Sequence, residues 1–92
     1  MNTHQNNTQL IDELRKELAE IIGVHEDKLP GDVSPAIAGK FLSTLPTTLS
    51  IWRCTGRYNL PYYKAGRLVR YRPTELIKFK ASRMYGHTGE VA

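Results

Sequence analysis

Residues 52–72 have the sequence WRCTGRYNLPYYKAGRLVRYR, and this stretch decides the fold. Six of its residues are Lys or Arg, aromatic residues are interspersed among them, and none is acidic. It begins as the end of a short helix, passes Gly56 and continues into two predicted strands, 62–64 and 68–72. Ala65-Gly66-Arg67 separates the strands, and Gly66 suits a tight turn because glycine adopts a positive φ without steric cost. The stretch therefore predicts a helix followed by a basic β-hairpin.

Alternation along the strands assigns the hairpin residues to two faces. Val69, Tyr71 and the facing Tyr63 are predicted on the core side. The basic residues form the other set, and two interpretations of them are open. Either they contact phosphates, or they only give an exposed strand edge the charge that prevents aggregation. They are Lys64 and Arg67 beside the turn, and Arg70 and Arg72 on the outer face.

Two short helices are predicted immediately before the hairpin. Ser34-Pro35 is a strong helix start, because the serine hydroxyl caps free amides and proline at the first helical position loses no hydrogen bond. That helix extends to about Leu42, and Pro46 starts a second one that ends before Gly56. Two short helices joined by a tight turn have helix-turn-helix spacing.

Helical geometry divides the second helix into an inner and an outer face. Leu49 and Trp52 lie three residues apart and are predicted to enter the core. At about 100° per residue, the opposite face is small and rich in hydroxyl groups. It lacks the Asn, Gln or central Arg that recognise adenine and guanine, so modest base specificity is expected. Its members are Thr47, Ser50, Ile51 and Cys54, with Arg53 at the margin.

The terminal regions have different patterns. Residues 1–7 are polar and predict a disordered lead. An amphipathic helix is expected within residues 8–24, from Thr8 to about Ile22, and Gly23 ends it. Its apolar stripe packs either on its own domain or against a second copy, and the pattern leaves both open. Pro73 begins the last helix, on which Lys78, Lys80 and Arg83 add positive surface, and residues 85–92 are expected to be a flexible tail.

Composition limits the function classes. The 92 residues suit one domain; residues 1–33 have net charge −4 and residues 34–92 have +8, which favours a polyanionic partner. The single Cys54 excludes an internal disulfide, and three dispersed histidines predict no metal site and no cofactor. No catalytic constellation is present, so we expect no enzyme. No apolar run is long enough for a membrane span, and the N-terminus has no signal pattern, so a soluble cytoplasmic protein is expected.

Several motifs together resemble a known family. Ser34-Pro35-Ala36, Leu49-x-x-Trp52-Arg53, Gly56-Arg57, the run from Leu60 to Arg72 and Glu75-Leu76 are similar to the excisionase-like winged helix-turn-helix domains of the mercury-resistance-regulator (MerR) superfamily. The resemblance covers about residues 33–82 and implies an α+β, mostly helical fold with a two-stranded antiparallel wing, in a winged helix-turn-helix DNA-binding domain of residues 33–84. The turn departs from the family pattern, with Ser43-Thr44-Leu45 where a Gly, an apolar residue and a Ser cap are usual.

The resemblance also implies a function. It assigns a recognition helix to the major groove of double-stranded DNA and the hairpin to the adjacent backbone, as in an excisionase-like recombination directionality factor or a small transcription regulator of a phage or mobile element. Several copies are expected to bind together as a homodimer or cooperative oligomer, with a recombinase or polymerase partner. The alternative is a non-catalytic interaction module whose N-terminal helix oligomerises and whose basic surface binds an acidic partner. The expected DNA contacts are Thr47, Thr48, Ser50, Ile51 and Arg53 on the helix, and Arg57, Lys64, Arg67, Arg70 and Arg72 on the wing and backbone.

Overall fold

The protein is α+β and mostly helical, with a two-stranded antiparallel sheet, as the sequence predicts. A computed structural model describes the backbone of residues 3–91 and the side chains of residues 8–84. The helices are α1 (Thr3–Ile22), α2 (Pro35–Leu42), α3 (Pro46–Thr55) and α4 (Pro73–Val91). The strands are β1 (Tyr63–Ala65) and β2 (Leu68–Arg70), and short 3₁₀ turns occupy Glu26–Lys28 and Arg57–Asn59.

The apolar stripe of α1 is part of the core of its own domain. Leu18 is fully buried and Leu14 nearly so, and the helix packs against α2 and α4. Gly23 ends α1 as predicted, with φ of 91° and its amide donating to the carbonyl of Ala19 at 2.8 Å. Of the two interpretations that the sequence left open, the structure shows intramolecular packing of this stripe.

Both terminal helices are longer than predicted. The helical backbone of α1 begins at Thr3 rather than Thr8, within the segment expected to be a disordered lead. α4 continues to Val91, through the segment expected to be a flexible tail. A polar segment has little apolar surface to bury against the core, but its backbone amides and carbonyls can still form the hydrogen bonds of a helix. Met1, Asn2 and Ala92 lie outside the described residues.

The α2–α3 connection is a tight turn with an unusual cap. α2 has its predicted bounds, and the hydroxyl of Ser34 accepts a hydrogen bond from the amide of Ile37 at 3.3 Å. Ser43 ends the helix in the left-handed region with φ of 59°. Leu45, at the N-cap position of α3, provides no side-chain cap, as its apolar side chain predicts.

Gly39 makes this turn possible. A Cβ atom at residue 39 would lie 2.7 Å from the carbonyl oxygen of Thr44, closer than real Cβ contacts. The amide of Thr44 also donates to the carbonyl of Gly39 at 2.8 Å, so the two segments are held together at this point. The close approach of α2 to the turn therefore requires a residue without a side chain.

We expect Gly39→Ala to destabilise the fold by about 1–3 kcal/mol, because the added methyl group must displace backbone rather than a flexible side chain. The measurement is the midpoint of thermal unfolding, which falls by roughly 4–8 °C for each kcal/mol in a domain of this size. Gly31→Ala is the matched control, since nothing lies within 4 Å of a Cβ atom at that position. Equal midpoints for the two variants would contradict the assigned role of Gly39.

The hairpin has a tighter turn than predicted. Tyr63 pairs with Arg70, Lys64 with Val69 and Ala65 with Leu68, so only two residues connect the strands. Cross-strand partners share a face of the hairpin, so Tyr63 lies on the same face as Arg70 and on the other face from Val69. The prediction that Tyr63 lies on the core side is therefore wrong, and its side chain is 41% exposed.

Tyr71 connects the hairpin to the helices. Its amide and carbonyl form two hydrogen bonds with Val33, at 2.9 and 2.8 Å, in the segment that precedes α2. Its side chain is fully buried, as predicted, beside the core formed with Leu49 and Leu76. Trp52 packs against the same core but remains partly exposed, with its ring 6.1 Å from that of Phe79. These contacts hold the end of the hairpin against the helical core.

Candidate nucleic-acid interface

The outer face of α3 is uncharged at its centre and accessible. Thr47 and Ile51 are exposed, whereas Thr48 and Ser50 are half-buried. Leu45, which precedes the helix, is 65% exposed, and Ile51 is 58% exposed. The face therefore offers hydroxyl groups together with methyl groups, which suit apolar contact with a thymine methyl.

Arg53 lies between α3 and the hairpin rather than in the middle of the face. One of its guanidinium nitrogens donates a 2.7 Å hydrogen bond to the hydroxyl of Tyr71. The guanidinium carbon also lies 5.7 Å from the ring centroid of Tyr62, within the distance of a cation–π contact. Arg53 consequently fixes the position of α3 relative to the hairpin while it adds positive charge between them.

The hairpin cations divide into exposed and paired residues. Lys64, Arg67 and Arg72 are exposed, and within the described side chains neither Lys64 nor Arg67 forms an ion pair. Arg70 is different, because its Nε atom donates to the carboxylate of Asp32 at 2.8 Å. Its side chain is partly buried by this contact. Of the predicted hairpin contacts, Arg70 has its charge already balanced within the protein.

Asp32 holds both strands of the hairpin through side chains. Its carboxylate accepts hydrogen bonds from the hydroxyl of Tyr63 on β1 and from Arg70 on β2. These two partners, Tyr63 first, hold the pKa of the Asp32 carboxyl below its usual value. The hydrogen bond that the Tyr63 hydroxyl donates to Asp32 in turn raises the pKa of Tyr63. We call Asp32, Tyr63 and Arg70 the carboxylate latch.

Sequence reasoning missed the latch, since Asp32 lies in a connector with no periodic pattern. The available signal is its position one residue before Val33, whose backbone pairs with Tyr71. An acidic residue next to that pairing is near the basic strand, but the pairing itself is not visible in the sequence. Charge complementarity alone does not select Asp32 from the other acidic residues of residues 1–33.

We expect the stability that the latch provides to depend on pH. Because the pKa of Asp32 is lowered on folding, its contribution is present above the unfolded value of about 3.8 and is lost as the pH falls through the folded value. The pKa of Tyr63 is raised, so its contribution is present below about 10 and is lost as the pH rises through its folded value.

The measurement is the urea midpoint of the parent and of Asp32→Asn. The difference should be constant from about pH 5 to pH 9 and should shrink below about pH 3.8, until it disappears once the pH has fallen through the lowered pKa of folded Asp32 and the parent carboxyl is also neutral. Asp12→Asn, on the exposed face of α1, controls for loss of a negative charge. A parent–variant difference that persists unchanged in acid would contradict the latch.

Arg57 and Arg83 lie around Tyr58, just beyond the end of α3. Their guanidinium carbons are 5.5 and 4.5 Å from the ring centroid of Tyr58, which itself meets the Trp52 ring edge-on at 4.8 Å. Arg57 remains exposed. The cluster extends the positive surface from the hairpin toward α4.

Lys80 is not the free surface charge that the sequence predicted. Its Nζ atom donates to the carbonyl oxygen of Phe41 at 2.6 Å and to the carboxylate of Glu17 at 3.1 Å. The Phe41 carbonyl belongs to the last turn of α2, where carbonyl groups lack helical partners. Lys80 thus connects α4 to α1 and α2, and its ammonium group has its hydrogen-bond partners within the protein.

Two adjoining cavities lie between α3, the hairpin and α4. The first, of about 310 Å³, has walls that include Trp52, Arg53 and Arg57. The second, of about 530 Å³, is lined by Tyr63, Arg72 and Glu75, among others. Pro61 and Tyr62 line both. We refer to the two cavities, which share these two lining residues, as the groove divided by Tyr62.

Other kinds of site have less support in the described part of the chain. No group of three or more His, Cys, Asp or Glu residues there is arranged to hold a metal ion. Along the described helices, no segment has the combination of length and hydropathy that a bilayer crossing requires. Cys54 is exposed and forms no disulfide.

Comparison of the chain with models of protein families, with curated proteins and with solved structures finds no match.

Proposed function

We propose that the protein binds double-stranded DNA as a winged helix-turn-helix domain, with α3 as the recognition helix and the hairpin as the wing. The observation that carries the proposal is the juxtaposition of an exposed, hydroxyl-bearing α3 face with a hairpin on which Lys64 and Arg67, beside the turn, form no ion pair with any described side chain. Arg53 fixes that juxtaposition through Tyr71 and Tyr62.

In this proposal the charged residues provide affinity and the uncharged residues of α3 provide specificity. Exposed cations of the hairpin contact phosphates and supply a salt-dependent affinity that is independent of sequence. Thr47, Thr48, Ser50 and Ile51 supply limited base recognition, because short hydroxyl and methyl groups discriminate less than bidentate side chains. Arg57 and Arg72 extend the backbone contact on either side.

One small helix and one hairpin cover a short length of duplex, so two or more copies bind neighbouring sites. Leu14 and Leu18 at the middle of the α1 stripe are buried in the core, so a contact between copies uses another surface. The resemblance to excisionase-like domains implies the biological role that we propose: the protein serves a phage or mobile element, either as a recombination directionality factor that acts with a recombinase or as a regulator at a promoter.

A salt-titrated band shift with random-sequence duplex tests the proposal. Binding at low salt should weaken as salt rises, with a log-log slope of about −0.9 for each phosphate contacted. Absence of any duplex binding at low salt would contradict it. Selection of bound sequences from random duplex, followed by footprinting, then reports whether sites occur singly or as repeats.

The second candidate is a protein-interaction module, and the apolar residues of the α3 face favour it. Leu45, just before this helix, and Ile51, in its middle, are both more than half exposed. In this case the basic surface meets an acidic protein, while α3 provides an apolar contact. Ser50→Ala separates the candidates, because it changes the preferred DNA sequence only if α3 lies in a groove.

A further inference from the structure

The groove divided by Tyr62 has a chemistry that duplex binding leaves unused. It starts at the end of α3, crosses the beginning of β1 and reaches the first turn of α4. Tyr62 and Tyr63 are each about two-fifths exposed within it, at 42% and 41%. Rigid aromatic rings that remain accessible in a groove offer faces on which a planar ligand stacks.

The charge of the groove favours an anionic ligand. Arg53 and Arg57 line the first cavity and Arg72 lines the second, whereas Glu75 is the one carboxylate among the described lining residues. The Arg53 guanidinium, 5.7 Å from the centroid of the Tyr62 ring, places positive charge directly beside that ring. A ligand with both a planar apolar face and a negative charge matches this arrangement.

A nucleotide has both properties, and its base is available for stacking only when it is unpaired. We propose that the groove on the two sides of Tyr62 binds an unpaired nucleotide, with the base on the tyrosine ring and the phosphate near the arginines. The inference extends the proposed function, on whose nucleic-acid ligand it rests, from duplex to single-stranded or locally opened strands.

Trp52 provides an internal reporter for this site. It is the single tryptophan of the chain and lines the first cavity. Stacking of a base beside it should quench its fluorescence, whereas a phosphate contact at the hairpin turn should leave the emission unchanged. Quenching therefore distinguishes occupancy of the groove from binding elsewhere on the basic surface.

The probes are a thymidine oligomer and a uridine oligomer of about eight nucleotides, within the site sizes of single-strand grooves. An oligomer of the same length with abasic residues carries the same charges without bases, and a random-sequence duplex completes the set. We expect both base-containing oligomers to bind and to quench Trp52, and the abasic oligomer to bind at least about tenfold more weakly. The tighter of the two base-containing oligomers identifies the preferred sugar.

Tyr62→Ala should weaken binding of the thymidine oligomer by about tenfold or more, because the stacking surface is removed. Tyr62→Phe keeps the ring and should remain within about twofold of the parent. Leu68→Ala is the control: it removes an exposed side chain of the hairpin that lies outside both cavity linings. Circular dichroism checks that each variant is folded, and labelled-oligomer anisotropy gives affinities independent of Trp52.

The outcomes separate this inference from the proposed function. Equal affinity for abasic and base-containing oligomers, or no effect of Tyr62→Ala, would overturn the groove assignment even if duplex binds. An equal loss of duplex and single-strand binding in Tyr62→Ala would also overturn it, since the ring would then serve a common backbone contact. Single-strand binding without duplex binding would support the groove and refute the proposed duplex function.

Discussion

Replacing Leu18 by alanine is expected to destabilise the protein by about 2–5 kcal/mol, the range for removing a buried leucine side chain from a core. Leu18 is fully buried in the C-terminal half of α1, a helix that packs on α2 and α4. A single domain has only about 5–15 kcal/mol of total stability, so the loss is a large share of it. Urea unfolding followed by circular dichroism measures the effect.

The same substitution at Leu68 is the matched control. Leu68 is 63% exposed on the hairpin, so Leu68→Ala should change the free energy of unfolding by less than about 0.5 kcal/mol. The comparison also tests the role of α1. If Leu18→Ala kept the parent stability and instead changed the molecular mass by light scattering, α1 would be an oligomerisation element and its packing in the core would be wrong.

The helix boundaries around α2 and α3 were predictable because local residues determine them. Ser34 and Pro35 specify the start of α2, and Pro46 and Gly56 delimit α3, each by its own backbone chemistry. Such signals act within a few residues and need no knowledge of the tertiary structure. The α3 face followed from these boundaries and helical geometry.

The hairpin register could not be predicted from the sequence to within one residue, and an error of one residue changes the face on which each side chain lies. A three-residue turn at Ala65-Gly66-Arg67 would place Tyr63 opposite Val69. The observed two-residue turn places Tyr63 opposite Arg70, because Ala65 pairs with Leu68. A shift of one residue moves each side chain to the other face. The error in the position of Tyr63 follows from this shift alone.

Contacts between distant segments carried no sequence signal. Asp32 meets Arg70 across the fold, and Lys80 reaches the Phe41 carbonyl at the end of α2. Both basic residues appear as surface charge in a sequence pattern, since long charged side chains usually keep their charge in water. The apolar stripe of α1 was similarly ambiguous, because the same spacing suits a core and a dimer contact.

Replacing both Lys64 and Arg67 by alanine is expected to reduce the salt dependence of duplex binding by about two in log-log slope, because each lost phosphate contact removes about one. Both side chains are exposed beside the hairpin turn and form no ion pair within the described side chains. If the variant and the parent bind equally at about 1 M salt, this slope difference becomes about a hundredfold at about 0.1 M. Band shifts across a salt series measure it.

Lys16→Ala together with Lys28→Ala is the matched control, because it removes the same charge from exposed positions outside the proposed interface. Equal losses in the two double variants would mean that net charge, rather than placement on the hairpin, carries the binding. Arg70→Ala provides the remaining comparison. Because Asp32 already balances its charge, its removal should change the slope by less than the removal of Arg67 does. A slope change as large as that of Arg67→Ala would show that DNA displaces Asp32 and takes over the arginine.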